Sequence, residues 1–167
     1  MLGLLEYLTM PKCTILVGVP ASGKSTWIQE HMPMANIMST DIVIENVARS
    51  YSMTYNEGFK DLISFAEKVM WRHITWSIAE QVDFVIDRTN LTAKSRAKFI
   101  QKLALHRYEI EAIVFPEVGS EALSKEEWER RLNSRRGKTI PQEALDRMID
   151  SYEIPLMSEG FDKITFV

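Results

Sequence analysis

At 167 residues and 46% hydrophobic content, the chain can bury one core of its own and is short for two. Its 20 basic and 23 acidic side chains leave a formal charge of −3, which excludes a protein whose whole surface attracts phosphate, so any nucleic-acid contact must come from a local basic patch. A single cysteine, Cys13, cannot close an intramolecular disulfide, so a reducing cytoplasm is the expected setting, and no apolar run is long enough to cross a membrane.

The stretch Met1–Met10 lacks the basic start and small-residue cleavage site of a signal peptide. It reads as an N-terminal extension over 1–11, with Met10 as an alternative start. Thr14–Val17 is apolar enough for a strand buried on both faces and runs into a glycine-rich turn. Asn36–Met38 is a short second strand. Asp41 follows it through Ser39 and Thr40, where it can serve chemistry or cap a helix over Ile42–Val47.

A long helix is expected over Glu57–Gln81, with Phe59, Leu62, Ile63, Ala66, Met70 and Ile74 near one face; Trp71 and Trp76 read as core packing rather than a stacking surface. Phe84–Ile86 is a third strand and ends at Asp87. The helix beyond Asn90 carries Lys94, Arg96, Lys98, Lys102 and Arg107, which read mostly as solvated surface. Ile110–Phe115 is the fourth strand. Ser124, with Glu127 three residues on, is a capping-box start for a helix to about Ser134, and another helix begins near Pro141 and ends before Pro155. Ile164–Val167 closes the chain. This alternation predicts a three-layer α/β domain over 12–167 with a parallel sheet and right-handed crossovers.

Gly18, Val19, Pro20, Ala21, Ser22, Gly23, Lys24 and Ser25 fit the phosphate-loop pattern of Gly, four residues, Gly, Lys, Ser or Thr. The buried strand before it and a helix opening at Thr26 and Trp27 supply the required context. Backbone N–H groups there would face phosphate oxygens at a helix N-terminus, Lys24 would reach the β- and γ-phosphates, and the Ser25 hydroxyl would bind Mg²⁺. No guanine-reading Asn-Lys-x-Asp occurs, and the short chain suits a small phosphotransferase better than a motor.

Three further groups fit that chemistry. Asp41 is placed to orient an acceptor hydroxyl and take its proton. Asp87, at a strand end, suits a water of the Mg²⁺ shell or contact with Ser25, while Asn90 reads as a turn or cap residue. Arg130, Arg131, Arg135, Arg136 and Lys138, followed or interrupted only by a few residues around Gly137, suit a mobile basic lid over about 130–140 that closes on ATP. His31, His73 and His106 show no metal-ligand spacing.

Gly18–Trp27, Ser39–Asp41, Asp87–Asn90, and Asn133–Gly137 with Pro141 together resemble the bacteriophage polynucleotide 5′-hydroxyl kinases over about residues 12–155. The resemblance implies a P-loop kinase fold with sheet order 2-3-1-4-5 and transfer of the ATP γ-phosphate to a hydroxyl of DNA or RNA. Position by position it implies Lys24 and Ser25 as phosphate and Mg²⁺ ligands, Asp41 as general base, Asp87 as the carboxylate beside the loop, and Arg136 as the lid arginine; Gly18, Pro20, Ala21, Ser22, Gly23, Thr26, Arg131 and Arg135 are the further candidates around the nucleotide. It also implies a phage protein working in a bacterial cytoplasm.

Two positions depart from the family pattern. Ala21 stands where a second loop glycine is common. Ile44 stands where the end-healing kinases carry an arginine that grips a phosphate of the acceptor strand, with Arg49 as a possible substitute. The second departure favours a related phage activity as runner-up, phosphorylation of the hydroxymethyl group of modified pyrimidines in DNA. A nucleoside or nucleotide kinase is a third reading. A P-loop RNA-binding module without catalysis is a fourth, and retention of Asp41 with Lys24, Ser25 and Arg136 speaks against it.

Overall fold

The computed structural model describes residues 10–167; residues 1–9 of the N-terminal extension, with the Met1 start, therefore lie outside the described residues. Five strands, β1 (Lys12–Val17), β2 (Asn36–Met38), β3 (Phe84–Ile86), β4 (Glu109–Val114) and β5 (Lys163–Phe166), form one parallel sheet in the order β2-β3-β1-β4-β5. β1 sits at the centre, with Cys13 opposite both Phe84 and Ile110. The expected fold and sheet order are those observed.

Both faces of the sheet are covered, which is why the strands read as unbroken apolar runs. Ile15 and Val17 point with Phe84, Ile86 and Val114 into a core closed by α3 (Tyr55–Ala79) and α4 (Ala93–Ala104) through Met70, Ile74, Phe99 and Leu103. Leu16, Val85 and Ile113 face the other way, against Ile28 of α1 (Lys24–His31) and Phe115. A third cluster, with Val19, Leu91, Trp128 and Leu145, lies beneath α5 (Lys125–Asn133) and α6 (Gln142–Asp150). Trp71 packs against the first core and stacks on Phe99, but Trp76 is 54% exposed and contributes no core packing.

Several boundaries move for local reasons. α2 spans Thr40–Ser50, and Ser39 is its cap: its hydroxyl accepts from the Ile42 N–H, so Asp41 lies inside the first turn and is not the N-cap. α3 begins two residues before Glu57 because Thr54 and Glu57 form a reciprocal capping box. At α5 only half of the expected box forms. Ser124 accepts from the Glu127 N–H, while the Glu127 carboxylate turns to Arg130 and Arg131, whose hydrogen bonds hold it down at about 2. Thr92, rather than Asn90, caps α4.

Arg96 overturns the solvated reading of its helix. It is fully buried, its guanidinium makes two 2.8 Å hydrogen bonds to Glu159, and its Nη1 donates to the carbonyls of Asn90, Leu91 and Glu153. The charge is internal because a segment 57 to 63 residues further along the chain returns to meet it.

Candidate active site at the phosphate loop

The loop between β1 and α1 is shaped from below. Gly18 N–H donates to Thr89 O at 3.0 Å and Asn90 Nδ2 donates to Leu16 O at 2.7 Å, tying the strand end and the loop to the segment after β3. Asn90 is buried with φ of 49°. It is thus a turn residue that braces the loop. Trp128 Nε1 donates to Pro20 O from α5. A Cβ at Gly18 would lie 2.8 Å from Phe115 Cβ, so only glycine fits there. Ala21 is left-handed at φ 62°, the conformation that makes glycine common at its position.

Gly23, at φ 111°, turns the chain into α1, whose first turn carries no acidic residue. The positive end of the helix is therefore uncompensated beside the loop. Lys24 Nζ folds back to donate to Gly18 O (2.9 Å) and Val19 O (2.7 Å). Burial lowers its pKa to about 8, against the pull of Asp87 and Asp41, whose charges favour the ammonium. Ser25 is exposed to the cleft, whereas Ser22 is buried with its hydroxyl unpartnered at the base of the loop.

The loop opens into a cleft of about 1400 Å³, more than the ~300–1,000 Å³ of an ordinary small-molecule pocket and enough for a nucleotide and a second reactant. Asp87, Asp41, Arg131 and Arg135 all line it. Burial raises the Asp87 carboxyl, with Lys24 opposing. Arg135 is half-buried and has no acidic partner within 4 Å among the described residues. Arg131 is paired with Glu127 at 2.6 Å and sits 4.0 Å from where a Gly23 side chain would begin. Arg136 is exposed and does not line the cleft, as Arg135 does one residue earlier.

On the far side of the cleft, Asp41 is held from two directions. Tyr55 OH donates to its Oδ1 at 2.7 Å, and Lys138 Nζ donates to its Oδ2 at 2.6 Å. Lys138 also donates to Glu45 at 2.9 Å and lies 4.0 Å from the centre of the Tyr55 ring. Burial pushes the Asp41 carboxyl up, but the charge and hydrogen bond of Lys138, with the Tyr55 hydroxyl, leave it below the usual value. Desolvation and the Asp41 charge drive the Tyr55 hydroxyl far up, so it stays a donor.

The basic segment is fastened down as well as charged. Asn56 Nδ2 donates to Thr139 O, Thr139 N–H donates to Asn56 Oδ1, both at 2.8 Å, and Asn56 N–H reaches Gly137 O. Tyr55, Glu45 and the pairing role of Lys138 carried no motif in the sequence. The nearest signal was Lys138 within the basic run. Ile44, the departure three residues after Asp41, is fully buried and does not face the cleft. Among the described residues no cluster of three or more His, Cys, Asp or Glu could hold a metal by itself.

The Arabidopsis thaliana protein named transcription factor bHLH140 is 27% identical over 161 residues, which cover 91% of this chain but only 15% of that protein's length. Among solved structures, a Chloroflexus aurantiacus protein provisionally assigned as a kinase is similar at TM-score 0.67, with 16% identity, 95% of this chain and 88% of that one. A chain of the Pnkp1/Rnl/Hen1 RNA repair complex is similar at TM-score 0.63, with 22% identity, 88% of this chain and 45% of that one. At these identities the structural likeness is one of fold. The AAA_33 family, described as an AAA domain, matches residues 14–155, and the chain belongs to that family.

Proposed function

We propose that this domain is a phosphotransferase that moves the γ-phosphate of ATP to a hydroxyl of a nucleic acid. The observation that carries the reading is Asp41, oriented by Tyr55 and Lys138, in the same cleft as Lys24 and the phosphate loop. A nucleotide-binding switch has no need of a fixed carboxylate there, whereas group transfer to an alcohol does. The likeness to a chain of an RNA repair complex supports a nucleic-acid acceptor.

The loop amides and the N-terminus of α1 would bind the phosphates, and Lys24 would leave the Gly18 and Val19 carbonyls to reach them. Arg135 and Arg131 line the same cleft and would neutralise charge on the transferring group. The acceptor oxygen bonds to the γ-phosphorus as the bond to the bridging oxygen of ADP breaks, and the hydroxyl proton passes to Asp41. The donor set fits Mg²⁺: an exposed Ser25 hydroxyl and a nearby Asp87, with phosphates and waters completing the shell, are the sparse protein contribution this ion takes. Bound there, Mg²⁺ would screen charge between the β- and γ-phosphates.

A second reading, transfer to a hydroxymethyl group on a base within DNA, is favoured by Ile44. Its burial leaves no cation facing the cleft at the position where end-healing kinases grip an acceptor phosphate. Both readings are tested by labelled γ-phosphate transfer to 5′-hydroxyl DNA and RNA, to end-blocked DNA carrying hydroxymethyl-pyrimidines, and to free nucleosides. Asp41→Asn should keep ATP binding and lower turnover by about 10²–10⁴-fold. Unchanged turnover would remove Asp41 from the mechanism.

A further inference from the structure

The wall of the cleft beside Asp41 has a chemistry of its own. Phe59 lies one helical turn beyond Tyr55 on α3, its ring centre 5.5 Å from that of Tyr55, and is 41% exposed to the cleft. Ile42 and Ile63 flank the same space, and Ile42 is 38% exposed. Phe59 shares the helix face of Ala66 and Met70, but where those two are buried in the core Phe59 lies beyond it and lines the cleft.

Charge on this wall disfavours an anion. Asp41 and Glu45 supply two carboxylates, and the ammonium of Lys138 is already shared between them. Arg88 also lines the cleft, with both Nη1 and Nη2 on Glu67 at 3.2 and 3.3 Å. Arg135, the cleft guanidinium with no acidic partner within 4 Å among the described residues, lies just after α5, and Arg131 lies in its last turn. A flat, uncharged ring satisfies this wall and a phosphate does not.

We propose that the wall carrying Phe59 is the acceptor subsite and that it holds a nucleobase stacked on the Phe59 ring, with the reacting hydroxyl directed to Asp41. The proposal rests on the phosphotransferase reading and specifies what part of the acceptor is recognised: the base rather than the backbone. It accounts for an exposed aromatic next to an oriented carboxylate, and for the absence of a cleft-facing cation at Ile44. Stacking of this kind tolerates different bases, because each has a π-face.

The test compares two fluorescently labelled single strands of equal phosphate number, a thymine decamer and an abasic decamer, binding to the full chain in the absence of ATP. Wild type should prefer the thymine strand by about 5- to 100-fold, Phe59→Ala should lose the preference, and Phe59→Trp should keep it. Trp76→Ala, exposed on the same helix but outside the cleft, should behave as wild type. Equal binding of both strands by wild type would overturn the subsite, as would an undiminished preference in Phe59→Ala. Phosphate transfer to the panel above is measured alongside. Base preference at Phe59 without transfer to any acceptor would leave the subsite and sink the phosphotransferase reading, whereas transfer without base preference would do the reverse.

Discussion

Lys24 shows how one side chain can report on nucleotide before any chemistry occurs. Its folded-state value of about 8 lies below the ~10.4 of an unfolded lysine, so between those values the unfolded chain binds more protons and its contribution to stability rises with pH. Phosphates placed beside it favour the ammonium and reverse the shift. ATP binding at pH 8 is therefore expected to take up about half a proton, falling towards zero at pH 6, with the loss of this uptake in Lys24→Met. Calorimetry in buffers of different ionisation enthalpy measures this; an observed heat that does not depend on buffer at pH 8 would contradict it. The importance of Lys24 is readable from its spacing alone. That of Lys138 is not, because its partners Asp41 and Glu45 lie more than 90 residues earlier and nothing local marks the pairing.

At the scale of elements, the buried strands and the loop are legible because their pattern is local: apolar residues at successive positions, then glycines at fixed offsets. What depends on a distant return of the chain is not. A helix bearing Lys94, Arg96, Lys98 and Lys102 has the look of a solvated face, yet Arg96 is the hub joining α4 to the segment Glu153–Glu159. Removing it by Arg96→Leu takes the guanidinium from the Glu159 carboxylate, which keeps only the Leu156 N–H, and from the carbonyls of Asn90, Leu91 and Glu153. We expect a loss of about 3–5 kcal/mol and a fall in thermal midpoint of roughly 10 °C. A change below about 1 kcal/mol in chemical denaturation would show that the clamp does not hold the C-terminal segment. The cap of α2 makes the same point in miniature, since Ser39 and Asp41 are both good caps and only the backbone geometry separates them.

Across the whole molecule, the basic segment and the α2–α3 pair form the two sides of one cleft, joined by the Asn56–Thr139 amide pair and the Lys138 ion pairs. The sequence predicts a mobile basic lid over about 130–140; in this structure its far end, Gly137–Thr139, is hydrogen-bonded to Asn56 of α3. Asn56→Ala should release it. We expect cleavage within 134–140 by a limiting protease to accelerate about 5- to 30-fold, with little change in the global thermal midpoint, because two exposed hydrogen bonds contribute only ~1–2 kcal/mol to local closure. Unchanged cleavage would mean that the Lys138 ion pairs and the Asn56 N–H bond to Gly137 O are enough to keep the segment down.

The placement of β2 has a broader consequence. This three-residue strand is the sheet's outer edge on its side, and α2 and α3 follow it directly, so Asp41, Tyr55 and Phe59 fall within one stretch of the chain. The loop, Asp87 and the cleft arginines come from elsewhere. On the proposed reading, the groups that would serve the nucleotide are distributed through the centre of the fold, while Asp41, Tyr55 and Phe59, which would serve the acceptor, lie in one contiguous cassette at its margin. If that reading holds, such a cassette can be exchanged or drift without rebuilding the central strand that carries the loop, so a change of acceptor would need changes in one short stretch only.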